Sequence, residues 1–195
     1  MSAATSNEAV GGPIVAPYPV YLSATVIPGF GRGSADLGIP TANIPSETLL
    51  SSGLLKDQTG IYFGYAKVSG TYGTLESRPT FDELKAGKAA VVQPHPDEPL
   101  SEADGQVLPM AMSLGYNPFY GNKESSAEIY IVHKYAKQFY GANIKVIVLG
   151  FIRPELNFES LDAMITQINA DVEYAKRTLA TAEYAPFETD AFFAQ

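Results

Sequence analysis

No cysteine occurs among the 195 residues. Its absence excludes disulfides, thiolate nucleophiles and sulfur-ligated zinc or iron–sulfur sites together. Histidine is confined to His95 and His133, so a three-histidine metal site is excluded. A general base has to be one of those two rings, a carboxylate, a tyrosine or a lysine. Positive charge is scarce, with 13 Lys and Arg against 21 Asp and Glu and a formal charge of -8. Without a basic stripe, no nucleic-acid surface is expected, and an anionic ligand must be met by local chemistry. Long apolar runs are missing too: no window supplies the roughly 18 apolar residues that a bilayer-spanning helix needs. Residues 1–19 hold no Lys or Arg, unlike a secretory signal or an Arg-rich transit peptide. The expectation is a cytoplasmic monomer without a membrane partner, organelle association being left open, with residues 1–19 as a disordered arm.

What is present suits one domain. The hydrophobic fraction is 46 %, enough for a sizeable core at this length. Segments 20–27, 61–68, 107–116, 126–133 and 143–152 carry the β-branched, aromatic and alternating pattern of strands. After Phe158, Leu161, Met164, Ile165, Ile168, Val172, Ala175 and Leu179 recur at the helical period. Ser160 is placed to cap that helix, Asp162 sits in its first turn, and Lys176 and Arg177 sit in its last, each complementing the dipole. Between 69 and 106 the pattern breaks at Pro79, Pro94, Pro96 and Pro99. This stretch reads as a loop insertion leaving a hairpin, with a capping-box spacing at Thr80-Phe81-Asp82-Glu83 that marks a short helix start. His95 lies within it and reads as a solvated loop residue. Sequential strands followed by a terminal helix predict an all-β-dominated antiparallel barrel over residues 20–195, closed on one side by the helix.

Four stretches can carry chemistry. Pro28-Gly29-Phe30-Gly31-Arg32-Gly33-Ser34 leaves backbone N–H groups open to an anion, but matches neither the Walker A spacing nor the dinucleotide fingerprint. It reads either as a phosphate-cradling loop or as a flexible turn. In Leu37-Gly38-Ile39-Pro40-Thr41-Ala42-Asn43, a hydroxyl and an amide stand two residues apart, on the same side of an extended chain. They suit a hard cation already carried by a nucleotide, or the hydrogen bonds of a turn. Glu128 opens an apolar alternating strand, where a carboxylate is either an exposed edge charge or a base with a task. His133 is offset from it by an odd number of positions. A regular strand would point the two to opposite faces, so a Glu–His pair is not expected, and His133 reads as a ligand contact or a satisfied strand-end histidine.

Taken in order, Gly29 to Ser34, the Pro40-Thr41-Ala42-Asn43 core, Gly60-Ile61-Tyr62-Phe63-Gly64, Gly115-Tyr116-Asn117-Pro118, Glu128 and Arg153-Pro154-Glu155-Leu156-Asn157-Phe158 resemble the eukaryotic-type riboflavin kinase (flavokinase) family. The resemblance implies a six-stranded antiparallel Greek-key β-barrel and a kinase that uses ATP to convert riboflavin to FMN. It implies Mg²⁺ as the metal, with Zn²⁺ or Mn²⁺ as alternatives, and no partner beyond the small molecules. On the matching positions, Thr41 and Asn43 would lie at the metal and phosphates, and Gly29, Gly31, Arg32 and Gly33 in the flap over the nucleotide. Glu128 would be the catalytic glutamate. Ile131, His133, Tyr140 and Arg153 would fall near the flavin, and Val146, Leu149 and Phe151 near the nucleotide. Two departures stand out: Ala35-Asp36 where the family often has Lys, and Tyr130 where it commonly has His. The competing reading is a flavin-binding barrel that performs no phosphoryl transfer.

Overall fold

The computed structural model describes residues 12–29, 39–52, 59–77, 83, 90–116 and 125–195. Among them the strands are β1 (Val20–Thr25), β2 (Ala42–Ile44), β3 (Gly60–Ser69), β4 (Thr71–Ser77), β5 (Val91–Pro99), β6 (Val107–Tyr116), β7 (Ser125–Ile131) and β8 (Asn143–Arg153). Helices α1 (Ser46–Ser51) and α2 (Leu161–Leu179) accompany them, and two short 3-10 turns follow α2. None of these helices is long and apolar enough to cross a membrane.

Six strands form one antiparallel sheet in the order β1-β8-β3-β6-β7-β2. Strands β3, β6 and β7 pair in succession and β8 returns beside β3, which is the Greek-key order. An isolated bridge between Ile27 and Asn43 links the two outer edges, with the Ile27 N–H donating to the Asn43 carbonyl at 2.9 Å. The sheet thus curls on itself and shields its edges. The all-β barrel with a C-terminal helix expected from the sequence is the fold observed.

Period-two alternation divides the side chains into two layers. On β7, Ala127, Ile129 and Ile131 point into the barrel, where they join Leu22, Tyr62, Met110, Met112, Ile144 and Val146. Ser126, Glu128 and Tyr130 are half-buried on the other side. The second layer lies under α2, where Phe63, Tyr65, Ile147 and Leu149 pack against Ala175 and Leu179. Each fully buried Leu, Ile or Val stabilises the fold by about 1.5–3 kcal/mol relative to exposure. Ser160 caps α2 as its sequence predicts, accepting from the Ala163 N–H at 3.1 Å. Only the C-terminal half of the apolar stripe is covered, and Leu161 stays 50 % exposed.

Strand β8 carries two register shifts against β3: Val148 and Gly150 face Gly64 and Phe63, then Phe151 and Arg153 face Tyr62 and Ile61. Leu149 and Ile152 are therefore the extra residues of two bulges. The second shift takes Arg153 off the barrel-facing row of Phe151 and Tyr62 and pairs it with Ile61 on the helix side. Gly64 makes the first possible, since a Cβ there would fall on the Ile147 carbonyl.

Two expectations change. The loop insertion at 69–106 is instead a two-stranded ribbon of β4 and β5, with register shifts around Gly73 and Leu75. A proline lacks the ladder N–H, but a two-stranded ribbon has open edges and bulges that tolerate it, so the proline-broken pattern conceals a strand. Within it His95 bonds Thr74 Oγ1 through Nε2 at 3.0 Å. The Thr80 to Asp82 part of the capping box lies outside the described residues. At the N-terminus, Ile14 packs on the helix-side layer and Tyr18 on the barrel interior, so the chain is already part of the fold before residue 20. Residues 1–11 lie outside the described set.

Candidate active site

Pairing of β2 with β7 sets Asn43 opposite Glu128. Thr41 immediately precedes β2, and its Oγ1 donates to Glu128 Oε2 across 3.4 Å, long for a hydroxyl bond. Asn43 is 7 % exposed. Gly29 lies directly against its amide, because an added Cβ would sit 2.5 Å from Asn43 Nδ2. A residue without a side chain lets the backbone at position 29 come this near the asparagine. The structure therefore brings Gly29, Thr41, Asn43 and Glu128 together from distant parts of the chain. Gly31, Arg32 and Gly33 lie outside the described residues, as do Ala35, Asp36, Asn117 and Pro118.

From this cluster a cross-strand row runs over the helix-side face: Asn43, Glu128, Ser113, Ile61 and Arg153 are successive Cα partners. At the usual strand spacing, Glu128 and Arg153 are separated by about 14 Å across three strand intervals. Arg153 is held at the far end. Its Nε donates to both oxygens of Asp171, at 3.0 Å and 3.1 Å, its Nη2 donates to Asp171 Oδ2 at 2.6 Å, and its Nη1 donates to the Pro154 carbonyl at 2.9 Å. Gln167 Nε2 donates to Asp171 Oδ1 at 3.0 Å. The segment leaving β8 crosses the same face, since a Cβ at Gly115 would sit 2.5 Å from Glu155 Oε1. Sequence reasoning passes over Asp171. A signal exists: this carboxylate falls between Ile168 and Val172 on the apolar stripe, where a charge needs a partner.

The remaining predicted site residues are dispersed. Ile131 and Val146 are buried inside the barrel, and Leu149 is buried in the layer under α2. Phe151 meets Tyr62 edge-on, with ring centroids 5.2 Å apart. Tyr140 is tied to the ribbon through its N–H, which donates to the Gly73 carbonyl at 3.0 Å.

Strand β7 stops at Ile131, so His133 lies beyond the alternation, and it turns to Asp104 rather than Glu128, with Nε2 2.7 Å from Oδ1. Asp104, 2 % exposed, also accepts from Tyr72 Oη at 2.5 Å and the Ala136 N–H at 3.3 Å. Burial pushes its carboxyl up, but the bonds from Tyr72, His133, Ala136 and Ser101 outweigh burial and hold it below the usual aspartate range. No sequence signal marks Asp104, because its partners are about thirty residues away on either side.

Among the described residues, no group of three His, Asp or Glu is placed to hold a metal. The donors at the cluster are a hydroxyl and a carboxamide beside one carboxylate. That set fits a hard cation that keeps most of its shell for water and phosphate oxygens, and so arrives with a nucleotide.

The family model described as Flavokinase, riboflavin kinase, matches residues 16–179. The riboflavin kinase of Meyerozyma guilliermondii is 40 % identical over 176 residues, covering 90 % of this chain and 92 % of that protein. The riboflavin kinase of Yarrowia lipolytica is 44 % identical over 163 residues, covering 83 % and 82 %. Among solved structures, riboflavin kinase from Trypanosoma brucei superposes with a TM-score of 0.57 at 25 % identity, covering 91 % of this chain and 87 % of that one. A family match over most of the chain, together with relatives this similar along nearly their full length, establishes that the chain belongs to the riboflavin kinase family.

Proposed function

We propose that this chain is a riboflavin kinase whose chemistry centres on Glu128. The ribityl 5′-oxygen of riboflavin attacks the γ-phosphorus of ATP, the bond from that phosphorus to the β–γ bridging oxygen breaks, and ADP and FMN result. Glu128 accepts the hydroxyl proton as the new P–O bond forms. Thr41 and Asn43 hold a divalent cation, with Mg²⁺ the best match to their neutral oxygens; when bound, it neutralises phosphate charge. Gly29, with Gly31, Arg32 and Gly33, would contact the nucleotide phosphates, and Arg153 would meet the flavin ring system at the opposite end of the cross-strand row.

The observation that carries this reading is the register that sets Glu128 opposite Asn43 and beside Thr41. Phosphoryl transfer asks the protein chiefly for alignment and charge stabilisation. A single carboxylate next to two uncharged oxygen donors, at one end of a cross-strand row that runs to Arg153, meets that requirement.

The direct test incubates purified protein with riboflavin, ATP and Mg²⁺ and resolves FMN by chromatography. FMN should accumulate in step with ADP and only when ATP is present. Riboflavin binding without ATP-dependent FMN would instead identify a non-catalytic flavin-binding barrel.

A further inference from the structure

Helix α2 buries one carboxylate on a face otherwise built from Ile168, Val172 and Ala175. That residue is Asp171, 4 % exposed, and it is paired with Arg153. Stability alone does not call for such a pair, since a buried ion pair holds no net advantage over apolar side chains of the same volume. Its geometry instead serves orientation. The Asp171 carboxylate takes Nε and Nη2 of the guanidinium, the Pro154 carbonyl takes Nη1, and the Gln167 amide donates to the carboxylate itself. A guanidinium has five N–H groups. With Nε, Nη1 and Nη2 each engaged once, one N–H on each terminal nitrogen remains for a ligand among the described contacts. The bulge at Ile152 has already set Arg153 at the end of the row that begins at Asn43 and Glu128.

We infer that Asp171 is a positioning residue for the flavin: it fixes the plane of Arg153 so that the two remaining N–H groups meet acceptor atoms of the riboflavin heterocycle. That ring system carries carbonyl oxygens and unprotonated ring nitrogens, which match a donor-only fork. The alcohol end of the same molecule then lies toward Glu128. This inference rests on the phosphoryl-transfer reading above and adds the helix to the flavin subsite.

The test measures KM for riboflavin, KM for MgATP, kcat and Tm for Asp171→Asn, Arg153→Lys, the double variant and Gln167→Ala, with riboflavin Kd followed separately by fluorescence quenching. Asp171→Asn and Arg153→Lys should each raise riboflavin KM and Kd about tenfold, the double variant no further, and MgATP KM should stay within about twofold. Gln167→Ala should raise riboflavin KM about threefold, a smaller loss of the same kind. A lower Tm with unchanged riboflavin KM and Kd in Asp171→Asn would show a purely structural pair and overturn the inference. So would a riboflavin defect in Arg153→Lys that Asp171→Asn does not share. If Asp171→Asn does not fold, an unchanged riboflavin KM in Gln167→Ala is the overturning result. A wild-type protein that binds riboflavin but forms no FMN would fail the kinase reading instead, and the Kd series would still decide the role of Asp171.

Discussion

Two carboxylates, one on strand β7 and one in the turn before β6, divide the labour of this molecule. Asp104 is buried and holds Tyr72, His133 and the Ala136 N–H at once. It stitches the β4–β5 ribbon to the segment after β7. Glu128 is half-buried between Asn43 and Ser113, and a described side chain reaches it through the long hydrogen bond of the Thr41 hydroxyl. A buried carboxylate that already holds three partners has little to offer a substrate, whereas a half-buried one that accepts a single long bond from the described side chains can take a proton. Counting the donors at an acid, rather than noting that an acid is present, separates the fastener from the base.

The largest effect should come from the unsaturated acid. Glu128→Gln keeps the shape and removes the proton acceptor, so kcat should fall by about 10²–10⁴-fold. Its Tm should stay within about 2 °C, as expected where no buried partner is orphaned. Steady-state assays alongside thermal melts would check both. Turnover near wild type would remove Glu128 from the role and erase the contrast.

Asp104→Asn should do the reverse. It removes the charge that Tyr72, the Ala136 N–H and His133 gather around, at a cost of about 2–4 kcal/mol, which lowers Tm by something on the order of 10 °C for a chain of this size. The loss should depend on pH in a defined direction. Asp104 is held below its ordinary value in the fold, so its stabilisation is fully present above the unfolded aspartate pKa of about 3.9 and is lost as pH falls from there through the lower folded value. Urea melts of both proteins should therefore show a constant gap above about pH 5 that narrows below about pH 4. A gap independent of pH down to the acid limit would mean that the charge contributes nothing and the contacts are those of any polar group.

How legible these two regions were in the sequence differs for a physical reason. The Glu128 region was readable because local order carries it: a strand alternation, a Pro-Thr-Ala-Asn core and a terminal helix with its cap all leave periodic or compositional marks. The pairing of β2 with β7 then converts nearness in a motif into nearness in space. The Asp104 region was opaque. Its ribbon is interrupted by prolines that an edge tolerates, and its hub joins residues from β4, the β5–β6 turn and the β7–β8 connection, which no spacing rule relates. Arg153 stands in a motif, but its partner Asp171 on α2 does not, because side-chain pairing between a strand end and a helix face is set by the bulge at Ile152. The buried places of Ile131, Val146 and Leu149 likewise follow from how the layers stack, which a motif alone does not encode.

The smallest effect sharpens the same comparison from a third direction. Thr178, 2 % exposed, places its Oγ1 in the packed interior with no hydrogen-bond partner among the described residues. It sits in the last turn of α2, away from the Thr41–Asn43–Glu128 cluster. If spare polar capacity marks function only where other polar groups gather, here it should simply cost stability. Valine keeps the branched shape and removes the hydroxyl, so Thr178→Val should stabilise the fold by about 0.5–1 kcal/mol, the gain expected when an unpaired buried polar group becomes apolar. Tm should rise by about 1–4 °C with kcat and both KM values unchanged. A melt that shifts downward would mean that the hydroxyl is satisfied after all, and that saturation has to be judged on more than the side chains packed around it.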